Sequence, residues 1–439
     1  MSLNRIGIRR EDKNRWERRV PLTPADLQEL SQSHDIDFTL QSFPRRTFTD
    51  QKYRDSGISV KEELNGCGVV IGVKEVPPEL LEEGKTYVFF AHVIKGQSYN
   101  MPLLQRILDL NITLIDYELI ADETDRRLVF FGPHAGCAGM INSLNALGAR
   151  LQFEGVDNPF SQLRSAYTYD SLAQAQAQLR EIGRQIVEQG LPAIVSPLVV
   201  GFTGYGNVSQ GAQAILDLLP SRELTPAQLL AGGWEQADDA VIKVVFHEEH
   251  LVERLDGTPF ELQTYYDQPQ LFRSVFTDYL PHLHILINAV YWDHRYPRLV
   301  TRDYLRQAWS IPDQCRLRVI GDISIDLEGS IECSIKATNS DNPCYVYEPL
   351  QERYLDGVAG AGPVIMAVDN LPCEIHRESS EDFSRALKPF IPALAAADWQ
   401  LPLTEINLPG PIRRAVIAHQ GRLTPAWEHL SQYLLKTDI

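Results

Sequence analysis

The sequence has few cysteines and no long apolar run. Its 439 residues include 6 cysteines, and no two of them have the Cys-x-x-Cys spacing of a zinc ribbon or a redox dithiol. So few thiols in a chain of this length predict reduced side chains rather than a disulfide scaffold. No stretch of about 18 apolar residues occurs, which argues against a membrane span. Residues 1–19 carry many charges and no apolar core, so we predict no secretory signal or transit peptide, and a cytoplasmic protein.

The chain also has fewer positively than negatively charged side chains. The chain has 41 Lys and Arg against 58 Asp and Glu, which gives a formal net charge of -17. Binding to a nucleic-acid backbone depends on Lys and Arg, so we predict no nucleic-acid partner. A small anionic ligand needs only a local cluster of donors and remains compatible with this balance. The length suggests two to three domains, and the motifs below favour two.

Short apolar segments alternate with amphipathic ones along the chain. Residues 69–73, 87–91 and 112–116 have the composition of buried strands, and apolar residues recur at helical spacing over 101–110. This alternation is typical of an α/β fold, in which crossover helices cover both faces of a mostly parallel sheet.

A glycine-rich turn follows the apolar segment 197–203 and leads into a helical segment at 212–219. Its six residues match Gly-x-Gly-x-x-Gly except for serine at the third glycine position: Gly204, Tyr205, Gly206, Asn207, Val208 and Ser209. The first glycine permits a tight turn, and the second lets a pyrophosphate approach the backbone at a helix N-terminus. The strand, turn and helix context predicts a dinucleotide site.

The ribose-binding residue of such a site is expected about 20 residues further on, at the end of the next strand. In that region, Glu223 would bond a ribose 2′-hydroxyl and favour NAD. Arg222 and Ser221 would instead hold a 2′-phosphate and favour NADP. The sequence leaves both cofactors open, and we place NADPH slightly ahead.

A second group of polar residues lies in the first third of the chain, beside or after predicted strands. Its members are Arg19, Lys74, Glu75, His92, Lys95, Glu118 and Arg127. The carboxyl ends of parallel strands share one sheet edge, so we expect these groups to converge on one locally basic cleft. Such a cleft would suit a substrate with several carboxylates, where Lys74 and His92 could exchange protons. Glu75 and Glu118 would tune that pair.

Two further patterns carry less information. Residues 247–250 read His-Glu-Glu-His, which lacks the spacing of the His-Glu-x-x-His zinc motif, so we predict no metal site. Asp322 and Asp326 follow an apolar strand, and the residues alone leave a simple turn and a ligand contact equally open.

Taken in order, these motifs resemble the lysine-ketoglutarate reductase domain, the N-terminal half of the bifunctional α-aminoadipic semialdehyde synthases. The resemblance covers nearly the whole chain and rests on residues 9–24, 72–75, 90–95, 114–118, 138–142, 202–213, 286–292, 322–324 and 368–372. The lysine-forming saccharopine dehydrogenases are similar in architecture. Alanine dehydrogenase and the transhydrogenase NAD domain resemble the chain more distantly.

The resemblance implies an α/β fold of two Rossmann-like domains with mostly parallel sheets. A substrate domain of residues 1–135 would be completed by 363–439, and residues 136–362 would bind the dinucleotide. The implied reaction joins L-lysine and 2-oxoglutarate to saccharopine through an imine, with NADPH or NADH, or runs in reverse. The implied partners are therefore small molecules: lysine, 2-oxoglutarate and saccharopine.

The resemblance also implies roles for individual residues. Lys74 and His92 match an acid–base pair. Arg19 and Arg127 match arginines that bind carboxylates, with Lys95 as a supporting cation.

The remaining roles follow in the same way. Glu75 and Glu118 match neighbours that set the basicity of the acid–base pair. Either Asp322 or Asp326 matches an aspartate that contacts the cofactor or the substrate amine.

Two alternatives stay open at this stage. The enzyme could use another amine or oxo acid, as opine and alanine dehydrogenases do, or the chain could be a nucleotide-binding sensor without catalysis. The matching region ends with the reductase-like part, which leaves the exact substrate open. The direction of the reaction and the oligomeric state also stay open.

Overall fold

The computed structural model describes residues 4–236, 240–311 and 315–434. The chain forms two compact units. The first unit contains the residues up to Phe131 together with those from His376 onward. The second unit is Gly132–Ile375.

The strands follow one another along the described chain with these bounds: β1 (Arg5–Ile8), β2 (Asp37–Gln41), β3 (Ser59–Lys61), β4 (Val69–Ile71), β5 (Thr86–Phe89), β6 (Thr113–Asp116), β7 (Leu198–Thr203), β8 (Ser221–Leu224), β9 (Val241–Phe246), β10 (Val252–Arg254), β11 (Phe272–Ser274), β12 (Ile285–Asn288), β13 (Val319–Asp322), β14 (Cys344–Glu348), β15 (Arg353–Asp356), β16 (Val364–Met366), β17 (Val416–His419) and β18 (Arg422–Leu423).

The α-helices of the described residues are α1 (Pro24–His34), α2 (Asp50–Asp55), α3 (Met101–Asp109), α4 (Gly132–Phe153), α5 (Leu172–Gln189), α6 (Asn207–Leu216), α7 (Pro226–Ala231), α8 (Glu248–Leu251), α9 (Leu262–Asp267), α10 (Arg302–Trp309), α11 (His376–Leu387), α12 (Ile391–Ala396) and α13 (Gly410–Arg414). No helix within the described ranges is long and apolar enough to cross a bilayer.

The first unit is built on a sheet of order β18-β17-β6-β5-β4-β1-β2-β3. All neighbours from β6 to β3 run parallel, and β17 joins β6 antiparallel. The residues of β4, β5 and β6 are all buried. This burial explains their continuous apolar character, because helices and loops cover both faces of a parallel sheet.

The last part of the chain completes this first unit. Beyond the two strands it adds to the sheet, α11 packs on the loop that precedes α1. Ser380 Oγ accepts the backbone N–H of Val20 at 3.0 Å, and Ser384 Oγ accepts that of Thr23 at 2.9 Å. These bonds satisfy buried amides of a segment that lies outside any sheet or helix.

The second unit contains a sheet of order β15-β14-β16-β13-β12-β7-β9-β8. The strands from β16 to β8 are parallel, and β14 and β15 form an antiparallel pair at one edge. A separate two-stranded ribbon joins β10 and β11. Two mostly parallel sheets, each with an antiparallel edge, confirm the predicted fold class.

One predicted domain boundary is wrong. We placed residues from 363 onward in the first domain, but β16 pairs with β13 in the middle of the second sheet. The chain enters the first unit only at His376. The other boundary, predicted at 135/136, falls inside α4, whereas the second unit begins at Gly132. Which unit binds substrate and which binds dinucleotide stays a prediction.

Candidate active site

The sheet of the first unit brings three strand ends side by side. β4, β5 and β6 are neighbours, and Lys74, His92 and Glu118 follow their carboxyl ends. His92 Nε2 lies 3.9 Å from Glu75 Oε1, and His92 Nδ1 lies 3.7 Å from Glu118 Oε2. The structure therefore places the imidazole between two carboxylates from the two neighbouring strand ends.

The backbone of His92 is strained. Its φ of 52° lies in the left-handed region, which costs a non-glycine residue about 1–3 kcal/mol. Asn100 Nδ2 donates to the His92 carbonyl at 2.9 Å, and the ring stacks on Phe90 with centroids 6.0 Å apart. A strained residue held from two sides is typical of functional positions.

Lys74 lies beside the same aromatic ring. Its Nζ is 6.0 Å from the centroid of Phe90. Burial lowers the pKa of the Lys74 ammonium, and the nearby charges of Arg19 and Lys13 lower that pKa further. A lysine with a lowered pKa can give and take protons closer to neutral pH.

Arg127 lies on the exposed side of the cluster that Lys74, Glu75, His92 and Glu118 form. Arg127 Nη2 donates to Glu118 Oε1 at 2.5 Å. Hydrogen bonding from His92 and the charge of Arg127 lower the pKa of Glu118 to about 2. Arg127 is more than half exposed, so its guanidinium is accessible to a carboxylate from solution.

Two other predicted cations differ from this pattern. Arg19 is buried and binds Glu17 through two bonds, from Nε at 2.8 Å and from Nη2 at 2.6 Å. One edge of its fork is therefore already occupied by a carboxylate of the chain. Lys95 is exposed, and the structure shows no contact between it and the cluster within the described residues.

Sequence reasoning missed two buried carboxyl groups at these strand ends. Glu11 accepts the backbone N–H groups of Val73 and Lys74. Asp116 accepts those of Ala91 and Glu118. Burial raises the pKa of both carboxyl groups. A single charged residue in sequence gives no sign of burial, so no local signal distinguished them.

The second unit forms the predicted strand, turn and helix. Gly204 has a φ of 84°, and an added Cβ would lie 2.9 Å from the Ala289 carbonyl oxygen. Gly206 is the N-cap of α6, and a Cβ there would meet nothing within 4 Å. The turn thus combines a position that requires glycine with an open position at a helix N-terminus, an arrangement that fits a pyrophosphate.

The third position of the motif has a structural explanation. Ser209 is buried, and its Oγ accepts Gln213 Nε2 at 2.9 Å. Close helix packing is provided instead by Gly211, where a Cβ would lie 2.1 Å from the Pro133 carbonyl oxygen. The small-residue segment that starts α4 thus packs against α6.

Arg222 and Glu223 are not brought to the glycine turn. Both lie on β8, which is separated from β7 by β9. Glu223 is level with Lys243 in the middle of β9, and its Oε2 lies 3.2 Å from Lys243 Nζ. Our expectation assumed that the next strand in sequence is also the neighbour in the sheet, and the topology shows that it is not.

The residues that do follow the neighbouring strand are His247 and Glu248. Gly204 N donates to the Phe246 carbonyl at 3.1 Å, so the end of β9 lies beside the turn. The Tyr205 ring stacks on His247 with centroids 4.3 Å apart. The charge of Glu248 raises the pKa of Tyr205, which is a second sign that these groups are close together.

Asp322 and Asp326 differ in exposure. Asp322 is buried, and its Oδ1 accepts Asn288 Nδ2 at 2.9 Å, while Asn288 Oδ1 accepts Thr203 Oγ1 at 2.9 Å. This network joins the ends of β7, β12 and β13. Asp326 is partly exposed, so of the two it is the carboxylate accessible to a ligand.

A metal centre receives no support from the geometry. The ranges that the structure describes contain no group of three or more His, Cys, Asp or Glu side chains that could hold a metal ion. In the 247–250 segment, His250 Nδ1 accepts the backbone N–H of His247 and so caps α8.

Comparison with known proteins identifies relatives over most of the chain. The chain is 35% identical to α-aminoadipic semialdehyde synthase of Arabidopsis thaliana and covers 41% of that protein, with 97% of this chain aligned. It is also 35% identical to the mitochondrial enzyme of Mus musculus, with 97% of this chain and 47% of the relative covered. The resemblance predicted from the sequence is confirmed. This chain spans less than half the length of these relatives.

A second group of relatives matches end to end at lower identity. Saccharopine dehydrogenase [NAD(+), L-lysine-forming] of Neurospora crassa is 26% identical over 90% of this chain and 92% of its own. Residues 7–138 match the family described as alanine dehydrogenase/PNT, N-terminal domain.

Solved structures share the fold. An L-alanine dehydrogenase superposes with a TM-score of 0.61 at 17% identity, over 98% of this chain and 99% of its own. A transhydrogenase from Sinorhizobium meliloti superposes with a TM-score of 0.56 at 15% identity, over 96% of this chain and 99% of its own. At such identities the likeness concerns the fold alone.

Proposed function

We propose that this chain is an oxidoreductase of lysine metabolism that joins L-lysine and 2-oxoglutarate to saccharopine with NADH or NADPH, or runs the reaction in reverse. The observation that carries the proposal is the position of His92 between Glu75 and Glu118, together with a partly buried Lys74 whose pKa is lowered and whose amine lies near the same Phe90 ring. The names of the aligned relatives support the choice of substrates.

Lys74 and His92 would move the protons. The amine attacks the ketone carbonyl, the carbinolamine loses water, and the imine takes up a hydride and a proton. Each step transfers a proton at nitrogen or oxygen, so two groups that exchange protons near neutral pH are required. A carboxylate on each side orients the His92 imidazole for this work.

The cations would bind the dicarboxylate. Arg127 is exposed and needs only to exchange Glu118 for a substrate carboxylate, so we assign it the larger share of binding. Arg19 would act from its buried position, where Glu17 fixes the orientation of its fork. This division explains how an acidic chain can hold an acidic substrate.

The nicotinamide cofactor supplies the hydride when it is bound. Gly204, Gly206 and the N-terminus of α6 would hold its pyrophosphate. The sequence alone placed NADPH slightly ahead, but we now propose a preference for NADH, because Glu248 and not Arg222 follows the strand next to β7. Tyr266 Oη donates to Glu248 Oε1 at 2.9 Å and so fixes this carboxylate, which would accept a ribose hydroxyl and repel a 2′-phosphate.

The reaction is tested by following oxidation of the reduced cofactor at 340 nm in an aminating assay. We expect steady oxidation only when both lysine and 2-oxoglutarate are present. In control mixtures, alanine or another amine replaces lysine, and pyruvate replaces 2-oxoglutarate. Oxidation with another pair but not with lysine would show a different amine or oxo acid. Binding of cofactor without oxidation in any mixture would indicate a sensor.

The cofactor preference is tested by titrating NADH and NADPH while following protein fluorescence. NADH should bind at least about tenfold more tightly, and Glu248→Gln should reduce that ratio. Glu223→Gln is the matched control, since Glu223 lies away from the turn and should leave the ratio unchanged. Tighter binding of NADPH by the unaltered protein would refute this part of the proposal.

A further inference from the structure

The end of β4 lacks a strand partner on one side. β1 pairs with β4 only from Ile6 to Ile8, and the Arg9 amide makes the last backbone bond, to the Ile71 carbonyl at 3.0 Å. Beyond this point the chain of β1 turns away. The amides of the residues that lead into Lys74 therefore need another acceptor, because buried N–H groups are seldom left unpaired.

Glu11 provides that acceptor. Its Oε1 accepts the Val73 amide at 2.7 Å, and its Oε2 accepts the Lys74 amide at 3.0 Å. The carboxyl is buried, with only 2% of the residue exposed, so solvent does not compete for these bonds. One side chain thus replaces the missing strand and binds two consecutive amides.

The carbonyl groups of the same segment are held from other directions. Tyr117 Oη donates to the Gly72 carbonyl at 2.8 Å, and the Phe90 amide donates to the Val73 carbonyl at 3.0 Å. A Cβ on Gly72 would lie 3.4 Å from Glu11 Oε1, so the carboxyl packs directly on the strand. Tyr117 and Phe90 thus hold the carbonyl groups of this segment, and Glu11 holds its amides where the chain leaves the sheet toward Lys74.

We infer that Glu11 is a positioning residue, which holds the Val73 and Lys74 amides so that the Lys74 amine stays in its place beside the Phe90 ring. This inference rests on the proposed acid–base role of Lys74. Both Glu11 carboxylate oxygens accept backbone amides, so the inferred role acts through the backbone of Lys74.

The test replaces Glu11→Gln in the full chain. The amide side chain keeps the shape but turns one acceptor into a donor, which opposes a backbone N–H. We expect kcat to fall by about tenfold to a hundredfold, as small displacements of catalytic groups do, with KM for 2-oxoglutarate changed less than about twofold. A fall in kcat/KM that comes from KM alone would contradict a positioning role.

A second measurement needs no substrate. Lys74 is labelled with an amine-reactive reagent at a series of pH values, and the modified peptide is quantified by mass spectrometry. Burial is the largest cause of its lowered pKa, so an amine that moves toward solvent in Glu11→Gln should label with a midpoint at higher pH. An unchanged midpoint would overturn the inference, because the amine would then keep its surroundings without the Glu11 carboxylate.

Glu374→Gln is the matched control. Glu374 is also a buried glutamate whose pKa burial raises to about 7, but it lies in the second unit and accepts Asn142 Nδ2. This variant should leave kcat and the Lys74 labelling unchanged. If Glu11→Gln does not fold, Glu11→Asp, which keeps the carboxyl but is one methylene shorter, should show the same shifts at smaller size.

The labelling separates this inference from the proposed function. Absence of lysine-dependent turnover in the unaltered protein would refute the function, while the labelling midpoint would still decide whether Glu11 holds Lys74. A shifted midpoint supports the inference, and an unshifted one refutes it.

Discussion

The two units carry different chemical groups at the edges of similar sheets. Each has six parallel strands and an antiparallel pair at one edge within the described residues. In the first unit the strand ends carry titratable groups, among them Lys74, His92 and Glu118. In the second they carry a glycine turn and a buried network of Thr203, Asn288 and Asp322. The proposed proton transfer and the proposed phosphate binding need these different groups at the same kind of edge.

The units also differ in strand order. In the first sheet the strand beside β1 is the next in sequence, β2. In the second the strand beside β7 is β9, and β8 lies beyond it. An expectation that the next strand in sequence is also the neighbour in the sheet therefore holds for β1 and β2 and does not hold for β7 and β8.

The largest effect should come from removing the titratable pair of the first unit. Lys74→Met combined with His92→Gln should lower turnover by about 10⁴-fold or more, because each acid–base group contributes ~10² to 10⁴-fold. Cofactor affinity, measured by fluorescence titration, should stay within about twofold if the second unit alone binds it. Turnover that survives would remove the functional distinction between the units.

A smaller effect concerns stability and pH in the second unit. Burial raises the pKa of Glu374 from 4.5 to about 7. The folded protein thus holds this proton more tightly than the unfolded chain, so the group's contribution is full below pH 4.5 and is lost as pH rises through about 7. Between pH 4.5 and pH 8, the free energy of unfolding of Glu374→Gln should therefore rise by about 3 kcal/mol relative to that of the unaltered protein.

Urea unfolding at several pH values measures this gain. Glu248→Gln is a suitable comparison, because Glu248 is only half-buried and its carboxyl already has a hydroxyl donor. A constant difference between Glu374→Gln and the unaltered protein across this range would show that the buried carboxyl does not titrate as expected.

Alanine at the two glycines of the turn should separate folding from binding. Gly204→Ala places a Cβ in a left-handed residue, which costs about 1–2 kcal/mol, and should lower both Tm and cofactor affinity. Gly206 has an ordinary φ of -74°, and a Cβ there would meet no other atom within 4 Å. Gly206→Ala should therefore leave Tm unchanged and lower only the affinity for the cofactor. Equal losses of Tm in both variants would contradict this division.

The smallest effect is expected at Lys95. The resemblance implies a supporting cation there, but the side chain is exposed. Lys95→Met should change kcat/KM less than about threefold in the aminating assay, as exposed charges add little. A loss of tenfold or more would mean that Lys95 joins the cluster when substrate binds.

Much of the local structure was accessible to sequence reasoning. The apolar runs at 69–73 and 112–116 contain β4 and β6, the run at 87–91 overlaps β5, and the predicted helix at 101–110 contains α3. Burial on both sheet faces requires continuous apolar runs, and helices require a 3.6-residue period, so composition and spacing report them directly. The glycine turn and the convergence of Glu75, His92 and Glu118 follow from the same local rules.

The failures all involve pairings between residues distant in sequence. We expected Arg222 and Glu223 beside the glycine turn, but β9 lies between β7 and β8. The boundary at 362/363 was misplaced because β16 joins β13 rather than the first sheet. Glu11 was overlooked because its partners are amides 62 and 63 residues away.

The sequence by itself thus determined the fold class, the main elements of the two sheets and the types of chemical group at their edges. Periodicity, turn residues and helix caps involve residues that are close together in sequence, so the sequence alone shows them. Only the tertiary structure decided that Glu248 rather than Glu223 lies beside the turn, and that Glu11 binds the backbone of Lys74. Strand order and burial depend on which distant segments pack together, and no local pattern records that choice.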